Sequence, residues 1–303
     1  MTLSVFAILA AFQVGPAGNP TPNQAPVIQQ PRPPAEEMPT QADPAAPPGA
    51  VPIDPVVAGR YRGCVDQVRS NPEAAGRAAN AWLVDGGGIY ARQCIGLAYV
   101  ALERWAPAAT VYEQAAADAA AVNDPRRADL LVQAGNAWLA ATEPTRAVLA
   151  FDAALTSTSL SNGLRGEIHL DRARAMVAMN NLTAARRDLD RASTLVPGDA
   201  MVWYLSAELA RRENDRSRAQ TDIQRAMSLA GDSPDIVLLA GTIAGERGDM
   251  ARAEALYRRV AEGAPNTDAG RAAQASLATL PRPTAPAPQQ APAQPPRPDG
   301  QSR

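Results

Sequence analysis

The sequence predicts an all-α fold, a right-handed α-solenoid of about six helical hairpins with a closing helix. A small–large–small residue pattern returns every 34 residues, and no segment shows the alternation of β-branched residues typical of a strand. Of the 28 Pro residues, thirteen lie between Pro16 and Pro55, eight lie between Pro281 and Pro298, and only seven fall in the 224 residues from 57 to 280. We therefore expect the helical array at 55–280, between two Pro-rich segments.

Residues 1–17 have the features of a short secretory signal. An apolar run, Leu3–Phe12, precedes the small residues Gly15, Pro16 and Ala17, which offer a cleavage site. The run is too short to cross a bilayer comfortably, so no permanent membrane span is expected. No Cys lies near it for acylation. This favours a periplasmic or secreted protein after removal of the signal; the alternative is a cytoplasmic protein with a misassigned N-terminus.

The segments 18–54 and 281–303 are predicted to be disordered. They lack the large apolar side chains whose burial would offset the cost of ordering the chain, and Pro biases them toward extended conformations. A tether is the simplest interpretation, and docking of a Pro-x-x-Pro motif into a partner's aromatic groove is the alternative. The formal net charge of -2, from 29 basic and 31 acidic residues, argues against nucleic acid as a partner.

The repeat predicts helical hairpins. Small, large and small residues at i, i+4 and i+7 share one helical face, where the small ones let a neighbouring helix approach closely. Three successive copies are Ala185, Leu189 and Ala192, then Ala219, Ile223 and Ala226, then Ala253, Tyr257 and Val260. A preceding helix has a related pattern, for example Trp203, Ala207 and Ala210. Each unit is therefore a pair of helices.

This unit resembles the tetratricopeptide repeat (TPR). The densest matches are Gly96, Tyr99, Ala108, Tyr112 and Ala115, followed by Gly135, Trp138, Ala147, Phe151 and Ala154. We expect six units beginning near Pro55, Ile89, Ala128, Gly166, Ala200 and Pro234, with a closing helix at Ala269–Leu280. The first unit has Arg62 where Gly or Ala is expected, so it is either a divergent repeat or a cap.

Loops longer than the family pattern are expected around Ala120–Asp124 and Thr156–Asn162. The internal Pro residues avoid helix interiors. Pro72, Pro125 and Pro234 each follow a capping residue. Pro107 falls in a first helical turn, and turns between helices are expected at Pro144, Pro197 and Pro265.

The resemblance implies a concave surface, lined by the first helix of each pair, that takes an extended or helical segment of another protein. The positions that it assigns to this groove are Tyr90, Gln93, Leu97, Asp129, Val132, Asn136, Glu167, Leu170, Arg174, Tyr204, Glu208, Arg211 and Arg212. Asn136 matches a family position that clamps a peptide carboxylate, but the basic residues of that clamp are not matched. The Arg residues are either a solvated helix face or partners for carboxylates.

The two Cys residues, Cys64 and Cys94, lie on the predicted first helices of units one and two. Adjacent first helices pack together in such a fold, which would allow a disulfide that staples the first unit and would require an oxidising compartment. The alternative is a pair of buried free thiols.

No catalytic constellation is evident. The chain has one His, His169, at a position where the repeat usually has a large aromatic residue, so a packing role is expected for it. There is no Lys for a phosphate-binding loop, no Cys-x-x-Cys and no Gly-x-Ser-x-Gly elbow, and no cofactor or metal is expected. The sequence predicts a non-enzymatic interaction scaffold in the cell envelope; the alternative is a cytoplasmic scaffold or a regulatory subunit of an enzyme complex.

Overall fold

The computed structural model describes residues 54–280, so the predictions for the signal-like start, for the Pro-rich linker up to residue 53 and for the Pro-rich tail lie outside the described residues. Residues 54–280 form thirteen α-helices and no strand. The helices are α1 (Pro55–Ser70), α2 (Pro72–Val84), α3 (Gly88–Ala101), α4 (Trp105–Ala121), α5 (Arg127–Ala140), α6 (Pro144–Leu155), α7 (Asn162–Ala178), α8 (Leu182–Leu195), α9 (Ala200–Arg212), α10 (Arg216–Ala230), α11 (Pro234–Glu246), α12 (Met250–Gly263) and α13 (Asp268–Thr279).

The residues that the structure describes divide into two compact units, with the boundary between Leu229 and Ala230. In the first unit, α3 packs on α4, α5 on α6 and α7 on α8, and each of these hairpins also contacts a neighbouring helix of the chain. In the second unit, α11 pairs with α12, and α13 packs against both. The predicted all-α fold of helical hairpins with a closing helix is confirmed.

The small and large residues of the repeat interlock within the hairpins. A Cβ atom added to Gly96 would lie 2.5 Å from the ring of Tyr112, and one added to Gly135 would lie 2.5 Å from the ring of Phe151. The Tyr112 and Phe151 rings are buried, at 2% and 0% exposure. In these two hairpins the aromatic ring of the second helix therefore fills the space that Gly leaves on the first, which is the physical basis of the small–large pattern.

Five hairpins share a tight turn with a residue in the left-handed region. The residues are Glu103, Thr142, Asn180, Asn214 and Gly248, with φ between 56° and 88°. In the turn of α5 and α6, the N–H of Glu143, just after Thr142, returns to the carbonyl of Trp138 at 2.9 Å, which terminates the first helix. Asn and Gly tolerate this conformation, whereas Thr142 is β-branched and is strained there.

Three local predictions were wrong. Asp124 does not cap a helix that starts at Pro125, because α5 begins at Arg127 with Arg126 at its N-cap. Helix α7 begins at Asn162, four residues before Gly166, because the Ser161 hydroxyl accepts a bond from the N–H of Leu164 and caps the helix earlier. Pro144 does not lie in a turn but opens α6, where its fixed φ suits a first helical position. The longer loops are confirmed at 122–126 and 156–161.

The first hairpin departs from the others. A single residue, Asn71, separates α1 from α2, with φ -154°, so the left-handed turn is missing there. Helix α1 buries only Cys64, and Cβ atoms added to Gly59 or Gly63 would meet nothing within 4 Å. The interlocking that defines the other hairpins is thus lacking in α1, which is consistent with the expected divergence of this unit.

Candidate functional site

The predicted groove residues lie on α3, α5, α7 and α9, all in the first unit. Two of them belong to the core instead. Val132 is 2% exposed and Leu170 is 8% exposed, and each is part of a hydrophobic cluster. Their assignment to the groove face was wrong, because both side chains pack in the hydrophobic core between neighbouring helices. Of the other apolar and aromatic groove residues, Leu97 and Tyr204 are half-buried.

At the N-terminal end of the face, two tyrosines and an arginine form a cluster. The rings of Tyr61 and Tyr90 lie 5.5 Å apart, and the Arg126 guanidinium lies 3.9 Å from the Tyr90 ring centroid. Arg126 also donates from Nε and Nη2 to the Asp124 carboxylate at 2.9 and 2.6 Å. Three hairpins meet here, because Tyr61 is on α1, Tyr90 is on α3 and Arg126 directly precedes α5.

The cluster is partly withdrawn from water. Burial raises the pKa of Tyr61 to about 12, so this phenol is neutral and available as a hydrogen-bond donor near pH 7. Hydrogen bonding from Arg126 lowers the pKa of Asp124. Sequence reasoning selected Tyr90 but missed Tyr61 and Arg126. The one available signal was Asp124 as a capping residue, which gave no hint that its arginine would stack on a tyrosine.

A polar stripe runs along α5 next to this cluster. We define the α5 stripe as Arg126, Asp129, Gln133 and Asn136, whose spacing of i, i+3, i+7 and i+10 puts them on one face of the helix. Three side-chain atoms of the stripe are shielded from solvent without a hydrogen-bond partner: Arg126 Nη1, Gln133 Oε1 and Asn136 Oδ1. No other atom of this kind occurs in the part of the chain that the structure describes. Unpaired buried polar atoms are costly, at about 1–3 kcal/mol each.

Farther along the face, the three predicted arginines have partners within the chain, and two of these partners are acids. Arg174 donates to Asp171 at 3.1 Å, and Arg211 makes a two-pronged contact with Glu208 at 2.9 and 3.0 Å. Glu208 is only 3% exposed, so it serves Arg211 and not a free surface. Arg212 donates to Asn180 Oδ1 at 3.0 Å.

Two acidic residues of the face have no ion pair among residues 54–280. Burial raises the pKa of Asp129. Burial, together with the charges of Asp171 and Asp199, raises the pKa of Glu167. Both shifts indicate a negative charge that the surroundings do not neutralise. Gln93, by contrast, is half-buried and adds no charge to the face.

His169 lies in a buried network and not in a simple packing position. Its Nδ1 lies 2.9 Å from Asp188 Oδ1, and Arg172 donates to both oxygens of the same carboxylate at 2.8 and 2.9 Å. Arg172 also reaches Asp152 on α6, so the network joins the third and fourth hairpins. The expected aromatic-like packing role is replaced by a hydrogen bond that fixes the ring.

Cys64 on α1 and Cys94 on α3 are brought together. Their Cα atoms lie 6.2 Å apart and their sulfurs are joined, within a small cluster that includes Ala79 and Ile95. A Cα separation of about 4.4–6.8 Å is usual for a disulfide. The fold thus accommodates the predicted bond, while the oxidation state in the cell stays a prediction.

Residues 54–280 contain no candidate membrane span and no candidate metal site. None of these helices combines the length and the apolar character needed to cross a membrane. No group of three or more His, Cys, Asp or Glu side chains is placed to hold a metal ion within the same residues.

Comparison with known proteins identifies the fold of this chain but assigns it to no family. No protein-family model and no curated protein sequence matches the chain. Several solved structures, by contrast, are similar to the chain in fold. PilF of Pseudomonas aeruginosa is 17% identical, with a TM-score of 0.59 over 73% of this chain and 97% of that one. PilW, described as a widely conserved type IV pilus biogenesis factor, is 16% identical, with a TM-score of 0.61 over 72% of this chain and 98% of that one.

A thermophilic TPR protein of Thermus thermophilus is also similar, at 20% identity and a TM-score of 0.50 over 64% of this chain and the whole of that one. At such identities the likeness concerns the fold alone. The chain has the helical-hairpin fold of TPR proteins, as its repeat predicted.

Proposed function

We propose that this protein is a non-enzymatic interaction scaffold whose first unit binds a segment of another protein along α3, α5, α7 and α9, centred on the α5 stripe. The observation that carries the proposal is the clustering of Arg126 Nη1, Gln133 Oε1 and Asn136 Oδ1, three buried polar atoms without partners, within eleven residues of one helical face. A chain selected for stability alone would replace such groups with apolar ones. Their retention fits a role in binding a partner's peptide groups.

The hydrogen bonds that the groove side chains already make also decide which of them can bind a partner. From the sequence, the arginines were either a solvated helix face or anchors for a partner's carboxylates, but Arg174 and Arg211 hold Asp171 and Glu208 of this chain. Amide groups bind both the N–H and the C=O of a peptide backbone. We propose that Gln133 and Asn136 turn about their side-chain bonds to make these contacts, with Tyr90 and Tyr204 flanking the bound segment.

Binding is favoured over catalysis by the use of the reactive side chains. The single His is bonded to Asp188, a carboxylate already held by Arg172, and both Cys residues are paired with each other. A histidine that is oriented by an acid still needs a nucleophile, and within residues 54–280 the His169 ring bonds to the Asp188 carboxylate and to no hydroxyl or thiol.

We further propose that the protein acts in the cell envelope after export. The signal-like start and the paired Cys64 and Cys94 support this location. Intact mass of the native protein tests it. Loss of about seventeen residues, with thiols that react only after reduction, is the expected result. A full-length chain with freely alkylated thiols would instead indicate a cytoplasmic scaffold.

Site-specific photo-crosslinking in cells tests the binding face. A photoreactive side chain at Gln133 is expected to give a discrete adduct with one partner protein. The matched control is Leu149, which is 65% exposed on α6, the second helix of the same hairpin, and should give none. Equal labelling from both positions would contradict the proposal.

A pair of variants separates binding from folding. Gln133→Met and Asn136→Leu remove the unpaired oxygens at nearly constant volume. Stability should hold or rise by about 1 kcal/mol, because buried unpaired groups are costly, while partner capture falls. A loss of stability together with unchanged capture would show that these amides serve the fold.

A further inference from the structure

Helix α1 is the least buried helix of the first unit. Of its sixteen residues only Cys64 is buried, at 9% exposure. The helix α3 beneath it buries five residues, among them Cys94 at 0% and Ile95 at 3%. Helix α1 helps to bury Cys94 and Ile95, since both belong to the small cluster that includes Cys64.

Besides the disulfide, an ion pair, a cation–π contact, a tyrosine pair and the packing of Val68 hold α1. Arg60 lies 5.0 Å from the Trp82 ring and 3.8 Å from Asp85, and both members of that ion pair are about half exposed or more. Tyr61 packs on Tyr90, and Val68 packs on the cluster of Cys64. Gly59 and Gly63 weaken the helix itself and contact no neighbour within 4 Å of a Cβ position. The disulfide is therefore the strongest tie between α1 and the array.

The same helix reaches the proposed binding face. Its Tyr61 ring lies 5.5 Å from the Tyr90 ring, and Arg126, the first residue of the α5 stripe, lies over the Tyr90 ring at 3.9 Å. Asn71, with φ -154° and ψ 83°, is the single residue that links α1 to α2. Its N–H donates to the Gln67 carbonyl at 2.7 Å and its Oδ1 accepts from the Ala74 N–H at 3.0 Å, so these are the bonds that would give way if Asn71 acts as a hinge. Movement of α1 about Asn71 would uncover Tyr90 and Ile95 together.

We propose that α1 is a thiol-controlled cap. The Cys64–Cys94 bond holds it down in an oxidising compartment, and reduction releases it and remodels the N-terminal end of the binding face. The reductant is a small dithiol. Its thiolate attacks the sulfur of Cys64, the more exposed partner, the S–S bond breaks, and the electron pair leaves on the sulfur of Cys94, which takes a proton.

The second thiol of the reductant then displaces Cys64 from the mixed disulfide. Two protein thiols and one oxidised dithiol result, so atoms and electrons balance. The link to binding rests on the proposed function, whereas the release of α1 does not. The test therefore uses no partner.

Hydrogen exchange of the full chain, followed by mass spectrometry with and without dithiothreitol, measures the release. Reduction is expected to accelerate exchange of the amides in 55–70 at least about tenfold, because local opening sets the rate, while 127–155 and 162–195 keep their protection. The variant Cys64→Ala with Cys94→Ala should exchange fast at 55–70 in both conditions. Should that variant not fold, the reduced wild-type protein gives the same readout, and reoxidation should restore protection.

Two results would overturn the proposal. Unchanged protection of 55–70 after reduction would show that Tyr61, Arg60 and Val68 suffice to hold the helix. Uniform acceleration of hydrogen exchange over the whole first unit would show that the disulfide stabilises the array as a whole and does not control α1 separately. A positive control is Gly59→Ala with Gly63→Ala, which should slow exchange at 55–70 in the reduced protein, since alanine favours the helix at these open positions. Failure of the Gln133 crosslink would leave these outcomes unaffected.

Discussion

In the first hairpin α1 contributes one buried residue, Cys64, whereas in the fourth hairpin α7 contributes six. The fourth hairpin adds a buried carboxylate, Asp188, that is held by Arg172 and His169. The first has instead a covalent link to α3 and two open glycines. Where neighbours lie on both sides, burial and internal polar pairing hold a hairpin. At the end of the array, where one face meets water, a disulfide replaces them.

The buried acid of the fourth hairpin has a counterpart in the fifth. Asp222 lies 34 residues after Asp188, is 5% exposed, and accepts a bond from the Ser206 hydroxyl at 2.6 Å. In both hairpins the acid precedes the large core residue, Leu189 or Ile223, and turns toward the first helix. The first hairpin has no buried acid of this kind among its described residues. The comparison predicts that stability in the interior depends on these polar pairs.

The largest expected effect is that of Asp188→Ala. Removing this buried carboxylate leaves Arg172 without its main partner, so the free energy of unfolding should fall by about 3–5 kcal/mol. Urea unfolding of the full chain measures it. The matched control is Asp152→Ala, which removes the exposed partner of the same arginine and should cost no more than about 1 kcal/mol. Similar losses from the two variants would contradict an interior held by Asp188.

The same glycine substitution should act in opposite directions in the two regions. Gly135→Ala drives a methyl group into the ring of Phe151 and should destabilise the protein by about 1–3 kcal/mol. Gly63→Ala meets open space on α1 and should stabilise that helix by up to about 1 kcal/mol. Thermal unfolding of both variants checks the signs. A loss of stability from Gly63→Ala would show that α1 packs as tightly as the interior helices.

The turns offer a smaller effect. Thr142→Asn should stabilise the third hairpin by roughly 1 kcal/mol, because Asn tolerates the left-handed backbone that Thr142 adopts and occupies the same position at Asn180 and Asn214. Chemical denaturation provides the measurement. Thr142→Ala serves as the control, since Ala retains the steric penalty and should give no gain; an equal gain from both would point to the loss of the threonine side chain as the cause.

The smallest expected effect is on the pH dependence of the free energy of unfolding. Burial acts to raise the pKa of Asp188, but hydrogen bonds from His169 and Arg172 outweigh it and hold that pKa below its usual value. A lowered folded-state pKa contributes stability above the unfolded value of about 3.9, and this is lost as pH falls through the folded pKa. The difference in the free energy of unfolding between the wild type and Asp188→Asn should therefore become smaller as the pH falls. A constant difference in denaturation experiments from neutral pH down to that range would contradict the linkage.

The helical pattern was predictable because it repeats. Ala185, Leu189 and Ala192 and their copies 34 and 68 residues later are all buried, as one helical face requires. The candidate site was predicted less well. Tyr90, Gln93 and Asn136 lie on the first helices as expected, but Val132 and Leu170 belong to the core. Spacing assigns a residue to a helix face and cannot say how far the neighbouring helix covers it.

The sequence by itself determined the class of fold, the hairpin unit and the residues of the interlocking core, because periodicity and the size of side chains act locally and recur. Only the tertiary structure decided which polar groups find partners. Asp188 with His169, and Tyr61 with Tyr90 and Arg126, depend on distances and orientations between side chains of different helices. The same holds for the unpaired atoms of the α5 stripe, since a missing partner is a property of the packed chain and leaves no mark on the sequence.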